Sequence, residues 1–191
     1  MKLVLASTSP YRRKLLERLR LPFEVAPPDV DEEKTAPAGA IPVAIAEALA
    51  RAKAEAVAVR FPGATVIGSD QLVDLQGAVL GKPLTRKGAL AQLGRLAGKT
   101  HALITSVVVL APAIRVTHTD ISRLTMEEFP ADALARYVDA DRPFDCAGSY
   151  RIESLGISLF RRIETEDPTA IEGLPLQFVA RALRSLGFRA P

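Results

Sequence analysis

Three features predict an α/β or α+β fold. Apolar runs of strand length alternate with segments of helical periodicity, glycine and proline punctuate the boundaries, and no internal repeat recurs. The chain has 191 residues, 48% hydrophobic and 25% charged, which suits one compact unit spanning 1–191, or one domain with a small lobe. That composition excludes disordered and fibrous classes. A net charge of +3 spread along the chain argues against a dedicated nucleic-acid surface and favours an anionic small molecule. Aromatic residues make up only 5%, too few for a basic stripe interleaved with stacking platforms. No apolar run approaches the ~20 residues needed to cross a bilayer. One cysteine, Cys146, permits no internal disulfide, and the first residues read as a strand and a basic helix rather than a signal peptide, so a cytoplasmic protein is expected.

Taken in order, Lys2 to Ala6 is a buried strand, and Ser9-Pro10 supplies an N-cap followed by proline at the first helical position. Leu15, Leu16 and Leu19 form the stripe of that helix, which should stop near Leu21-Pro22. Residues 27–42 are rich in Pro, Asp and Glu and read as an exposed loop; Val43 to Arg60 is Ala-rich and helical. Ala64 to Ser69 reads as a strand with Asp70 at its exit, and a hairpin at Gln76-Gly77 leads to Gly81-Lys82-Pro83. Thr85 caps a helix reaching Leu96, and Gly98 breaks the chain before strands at Ala102–Leu110 and Ile114–Leu124. Pro130 opens a helix through Val138. Ile157 to Ile163 reads as a strand and Leu174 to Leu186 as a closing helix.

The most informative segment is Ser7-Thr8-Ser9-Pro10-Tyr11-Arg12-Arg13. The first turn of a helix already carries partial positive charge, so two arginines there are locally unfavourable unless a polyanion binds in front of them. The alternative is an ordinary solvated pair. Asp70 at a strand exit can ligate a metal or accept a proton from an attacking water, or simply form a turn. Lys82, between Gly81 and Pro83, is either aimed at phosphate or solvated. Asp31, Glu32 and Glu33 suit Mg²⁺, a hard cation that prefers oxygen, and equally suit an exposed loop. His101 and His118 lack zinc-site spacing and read as structural. Cys146 reads as a buried structural thiol.

Leu5-Ala6-Ser7-Thr8-Ser9-Pro10 with Arg12-Arg13, then Gly68-Ser69-Asp70-Gln71, Gly81-Lys82-Pro83, Ala147-Gly148-Ser149 and Gly173-Leu174-Pro175, together resemble the Maf family of nucleotide pyrophosphatases nearly end to end. The resemblance implies an α/β fold with a long mixed sheet flanked by helices, two lobes around a central cleft, a homodimer, and dependence on a divalent metal such as Mg or Mn. It places the general base on Asp70. It assigns triphosphate binding to Ser7, Arg12, Arg13, Lys53 and Lys82, and a metal to Asp31 or Glu32 together with Asp70.

Within that family the chain looks like the branch acting on 7-methyl-GTP. The pyrimidine branch, which acts on dTTP and UTP, has arginine before the Arg-Arg pair, threonine after the catalytic aspartate, and Asp-Lys-Ala-Gly followed by Gly-Ile-Gln. This chain has Tyr11, Gln71, Asp145-Cys146-Ala147-Gly148 and Glu153 instead. An aromatic face such as Tyr11 attracts the positive charge of a 7-methylated guanine by about 0.5–2 kcal/mol, and a carboxylate such as Glu153 accepts from the guanine N1–H and amine. Tyr11 stands where that branch generally has tryptophan. Two alternatives remain: a dTTP or UTP pyrophosphatase, and a nucleotide-binding regulator of cell division that needs no turnover.

Overall fold

The structure, a computed structural model, describes residues 1–190. Its seven strands form one sheet in the order β2-β1-β3-β5-β6-β7, with β4 paired to β3, and seven α-helices accompany it. The chain divides into two compact units, one of residues 1–70, 105–120 and 167–191 and one of residues 71–104 and 121–166.

The first unit is built on β1 (Leu3–Ala6), which pairs in parallel with both β2 (Glu24–Ala26) and β3 (Thr65–Leu75). Alternate residues of β1 feed two different cores, as a strand period of two requires. Leu3 and Leu5 pack with Leu15 and Leu16 of α1 (Pro10–Glu17) and with Val179 and Leu183 of α7 (Leu176–Ser185). Val4 and Ala6 pack with Ala50, Ala54 and Val57 of α3 (Pro42–Ala58). Helices thus cover both faces, which is why β1 reads as an unbroken apolar run. Ser9 caps α1 as expected, its Oγ accepting from Arg12 N. The helix ends at Glu17 rather than near Leu21, because Arg18 is its C-cap and Arg20 takes a left-handed φ of 52°.

One short element precedes the stretch read as loop and another lies within it. Strand β2 follows Pro22, and α2 (Glu32–Thr35) is a single turn capped by Asp31 within the segment read as loop. A third, α6 (Pro168–Ile171), is capped by Asp167.

The second unit contains the expected hairpin, β4 (Ala78–Leu80) running antiparallel to the end of β3 across Gln76-Gly77. Thr85 caps α4 (Arg86–Leu96), which packs on α5 (Ala131–Asp141). Arg86 clasps Asp139 between these helices, Nε to Oδ1 at 2.6 Å and Nη2 to Oδ2 at 2.9 Å. Strand β7 (Phe160–Glu164) pairs antiparallel with β6 (Ile114–Met126) and is shorter than expected, because Leu155–Leu159 forms a 3-10 turn first. Strand β5 (Thr100–Ala111), like β3 and β6, contributes residues to both units. Among the described residues no helix is long and apolar enough to cross a membrane.

Candidate active site

Where β1 gives way to α1, the chain turns through Ser7, Thr8 and Ser9. Ser7 is buried, and its Oγ accepts from Ser9 N at 3.0 Å. A hydroxyl that accepts in this way still has its own proton to donate. One turn on, Arg12 Nε donates to the carbonyl oxygen of Gly173 at 2.9 Å. This anchors the guanidinium by one nitrogen; among the described residues Nη1 and Nη2, with their four N–H groups, have no protein acceptor. Burial lowers the Arg12 pKa from its ordinary value, and the negative charges of Asp70 and Glu32 push it back up. A half-desolvated cation with spare donors is a strong partner for an anion.

Asp70 reaches the same neighbourhood from β3, and its position there differs from the expectation. Strand β3 does not stop at Ser69 but continues to Leu75, so Asp70 is a mid-strand residue, only 6% exposed. Its polar side chain is satisfied by Lys53, whose Nζ donates to Asp70 Oδ1 at 2.6 Å. The same Nζ lies 2.6 Å from Glu32 Oε1. Lys53 sits on the inward stripe of α3 with Ala46, Leu49, Ala50, Ala54 and Val57, and its side chain is 9% exposed. A lysine so placed is rare unless paired.

What lets the two meet is Gly68. A Cβ at that position would stand 2.5 Å from Ala50 O and 2.6 Å from Ala54 N. Glycine on the strand and alanines on the helix bring the two backbones close enough for Lys53 to span to Asp70.

Not every residue singled out in the sequence joins this group. Arg13 is exposed and pairs with Glu17 along its own helix, Nε to Oε1 at 3.0 Å. Asp31 is spent on capping: its Oδ1 accepts from Lys34 N at 3.2 Å, and its Oδ2 lies 2.7 Å from Lys34 Nζ. Glu32, not Asp31, is thus the acidic-run residue that meets Lys53. Tyr11 is half-buried beside Arg12 on α1.

In the second unit Gln71 is half-buried, while Lys82 and Glu153 are exposed. Gln92 ties two of its motifs together, Nε2 donating to Gly81 O at 3.0 Å while Oε1 accepts from Ser149 Oγ at 2.6 Å. The loop carrying Glu153 is held by Ser154 Oγ donating to Asp141 Oδ1 at 2.6 Å and by Arg151 N donating to Tyr137 Oη at 3.1 Å.

The histidines are structural, as their spacing implied. His118 stacks on Phe178 with centroids 4.8 Å apart. His101 is buried, with Nε2 3.0 Å from Tyr150 Oη, and burial pushes its pKa down from 6.5 to about 4. Cys146 is half-exposed rather than buried, 3.5 Å from Asp145 Oδ1.

Among the described residues no three His, Cys, Asp or Glu side chains converge as a ready-made metal cage. Glu32 and Asp70 nevertheless fit a divalent cation. Each presents an oxygen 2.6 Å from Lys53 Nζ, and Mg²⁺ prefers oxygen ligands, usually one or two carboxylates plus substrate phosphates.

Sequence reasoning gave no role to Ser69 or to the Gly173 carbonyl. The motifs Gly68-Ser69-Asp70 and Gly173-Leu174-Pro175 were visible, but a contact spanning 161 residues leaves no local signal. Lys53 did leave one: a lysine in phase with Ala46, Leu49, Ala50 and Ala54 on an apolar helical stripe.

Fold and site together define an α/β protein in which an arginine with spare donors stands beside a buried carboxylate–ammonium cluster. A family model described as Maf-like protein matches residues 2–186, and the chain belongs to the Maf family. A protein of Xanthomonas oryzae pv. oryzae named 7-methyl-GTP pyrophosphatase is 48% identical over 190 residues, covering 100% of this chain and 99% of its own. One of the same name from Aromatoleum aromaticum is 49% identical over 192 residues, covering 100% and 98%. Among solved structures, a nucleoside-triphosphatase and dITP/XTP pyrophosphatase of Mycobacterium abscessus aligns over 98% of this chain and 99% of its own, at 18% identity and a TM-score of 0.46.

Proposed function

We propose that the protein hydrolyses 7-methyl-GTP to 7-methyl-GMP and pyrophosphate. The observation that carries this reading is the pairing of an anion-ready Arg12, held at Nε by Gly173 O, with a buried Asp70 whose Oδ1 is engaged by Lys53. Full-length relatives named for that activity support the substrate.

In the reaction, Ser7 Oγ and the terminal nitrogens of Arg12 donate to phosphate oxygens and orient the triphosphate. Asp70 accepts a proton from a water. The water oxygen bonds to the α-phosphorus, the bridging bond to the β-phosphate breaks, and pyrophosphate leaves with that bond's electron pair. Lys53 orients Asp70 through its contact with Oδ1, and adds positive charge where the transition state gains negative charge. A divalent cation held by Asp70 and Glu32 would supply further charge neutralisation of the phosphates. The family resemblance assigns further phosphate contacts to Arg13 and Lys82, and selection of the base to Tyr11, Gln71 and Glu153. The single cysteine favours a cytoplasmic setting.

The test is a panel of 7-methyl-GTP, GTP, dTTP, UTP and CTP with Mg²⁺ or Mn²⁺, measuring kcat/KM for each. Preference for 7-methyl-GTP supports the reading. Preference for dTTP or UTP transfers the same chemistry to a pyrimidine, and absence of turnover on every nucleotide rejects the enzyme.

A further inference from the structure

Gly173 O accepts two hydrogen bonds, from Arg12 Nε at 2.9 Å and from Ser69 Oγ at 3.2 Å. Ser69 is fully buried next to Asp70 on β3, where a hydroxyl must find a partner, and it finds this one. The loop that carries the carbonyl is pinned on both sides. Asp167 Oδ1 accepts from Thr169 N at 2.9 Å and Asp167 Oδ2 from Gln177 N at 2.8 Å. Thr105 Oγ1 donates to Ala170 O at 2.9 Å. Gly173 itself takes a φ of 117°, a region L side chains rarely adopt, so the carbonyl direction depends on glycine here.

A guanidinium is planar, with its donors in a fixed fork. Holding Nε on a rigid acceptor therefore sets the plane of Arg12 and the directions of Nη1 and Nη2. A lysine at the same place would deliver charge with no such direction. We infer that Ser69 and Gly173 form a positioning device for Arg12, the Ser69 hydroxyl steering the Gly173 carbonyl, and the carbonyl fixing the plane in which Arg12 meets phosphate. Neither residue touches substrate. The inference rests on the phosphate-binding role proposed for Arg12.

The test is a double-mutant cycle read by calorimetric binding of inorganic tripolyphosphate to the full chain without metal, for wild type, Ser69→Ala, Arg12→Lys and the double variant. Ser69→Ala should weaken binding about fivefold, the scale of one modest hydrogen bond, with an unchanged fold by circular dichroism. In the Arg12→Lys background, where no Nε exists to be held, Ser69→Ala should have no further effect. An equal loss in both backgrounds makes Ser69 merely structural and overturns the inference, as does wild-type binding by Ser69→Ala. If Arg12→Lys and Arg12→Ala both bind tripolyphosphate as the wild type does, the phosphate role of Arg12 itself fails. Gly173→Ala provides a second route to the same answer: it should weaken binding in the Arg12 protein and not in the Arg12→Lys protein, and the opposite pattern refutes the device.

Discussion

Gly68→Ala adds one methyl group at the contact that builds the site. The new Cβ would stand 2.5 Å from Ala50 O, 2.6 Å from Ala54 N and 2.8 Å from Ala54 Cβ. Close carbon–oxygen contacts begin near ~3.3 Å, so α3 must withdraw from β3 by about 0.8 Å. The atoms met first are helix backbone, which cannot rotate aside as a side chain would. Overpacking of this kind costs ~1–3 kcal/mol, and for a chain of this size each kcal/mol lowers Tm by about 2–4 °C. The same withdrawal acts on Lys53 and Asp70, which meet at 2.6 Å across that interface and would be drawn apart toward ~3.4 Å, the weak end of hydrogen-bond range. Misplacement of about 1 Å can cost a hundredfold in rate, so kcat/KM should fall at least tenfold beyond any loss of folded protein. Urea denaturation by circular dichroism, with steady-state turnover of the folded fraction, reads both effects. A Gly68→Ala protein with wild-type Tm and wild-type kcat/KM would refute the argument that this approach positions the site.

Three other perturbations probe separate parts of the account. Lys53→Met strands the Asp70 carboxylate, whose side chain is 9% exposed, while Glu32 at 56% exposed recovers water; the loss should lie near the low end of the ~3–5 kcal/mol typical of a broken buried pair. Adding Asp70→Asn to Lys53→Met should restore part of that stability in urea denaturation, and a loss below ~1 kcal/mol with no restoration would show the pair to be uncoupled. Asp70→Asn alone should lower kcat about 10²–10⁴-fold, the usual share of a general base, with nucleotide affinity measured by calorimetry changed only a few fold. His101 carries a pKa of about 4 in the folded chain against 6.5 when unfolded, so the unfolded state binds its proton first as pH falls. Its stabilising contribution is complete above pH 6.5, erodes below it and is gone near pH 4, a difference of about 3 kcal/mol. His101→Phe should remove that part of the pH dependence of urea stability between pH 7 and 4, and an unaltered pH profile would contradict it.

Much of the fold was legible because its signals are local. Ser9-Pro10, Gln76-Gly77 and Thr85 announce a cap, a turn and a second cap through chemistry contained within three or four residues. Strand β2 and helices α2 and α6 have three or four residues each, too few to establish a period; β2 is completed by pairing with β1, and α2 and α6 by the caps Asp31 and Asp167. The end of β3 was misplaced because Asp70 looks like a strand exit, whereas pairing with β4 carries the strand on to Leu75. At the site, Ser7, Arg12 and Asp70 could be named from residue chemistry and family resemblance. The choice of Glu32 over Asp31 could not, since it turns on which of two adjacent residues caps α2. Nor could the Gly173 anchor of Arg12, a tertiary contact between a side chain and a distant carbonyl.

The most direct test of the central claim follows the water. Turnover of 7-methyl-GTP in water enriched in heavy oxygen, with products separated and analysed by mass spectrometry, reports which phosphorus is attacked. The account predicts one heavy oxygen in 7-methyl-GMP, none in pyrophosphate, and labelled product formed about 10²–10⁴-fold more slowly by the Asp70→Asn protein. Heavy oxygen in pyrophosphate or in released orthophosphate, or undiminished labelling of 7-methyl-GMP without Asp70, would contradict it.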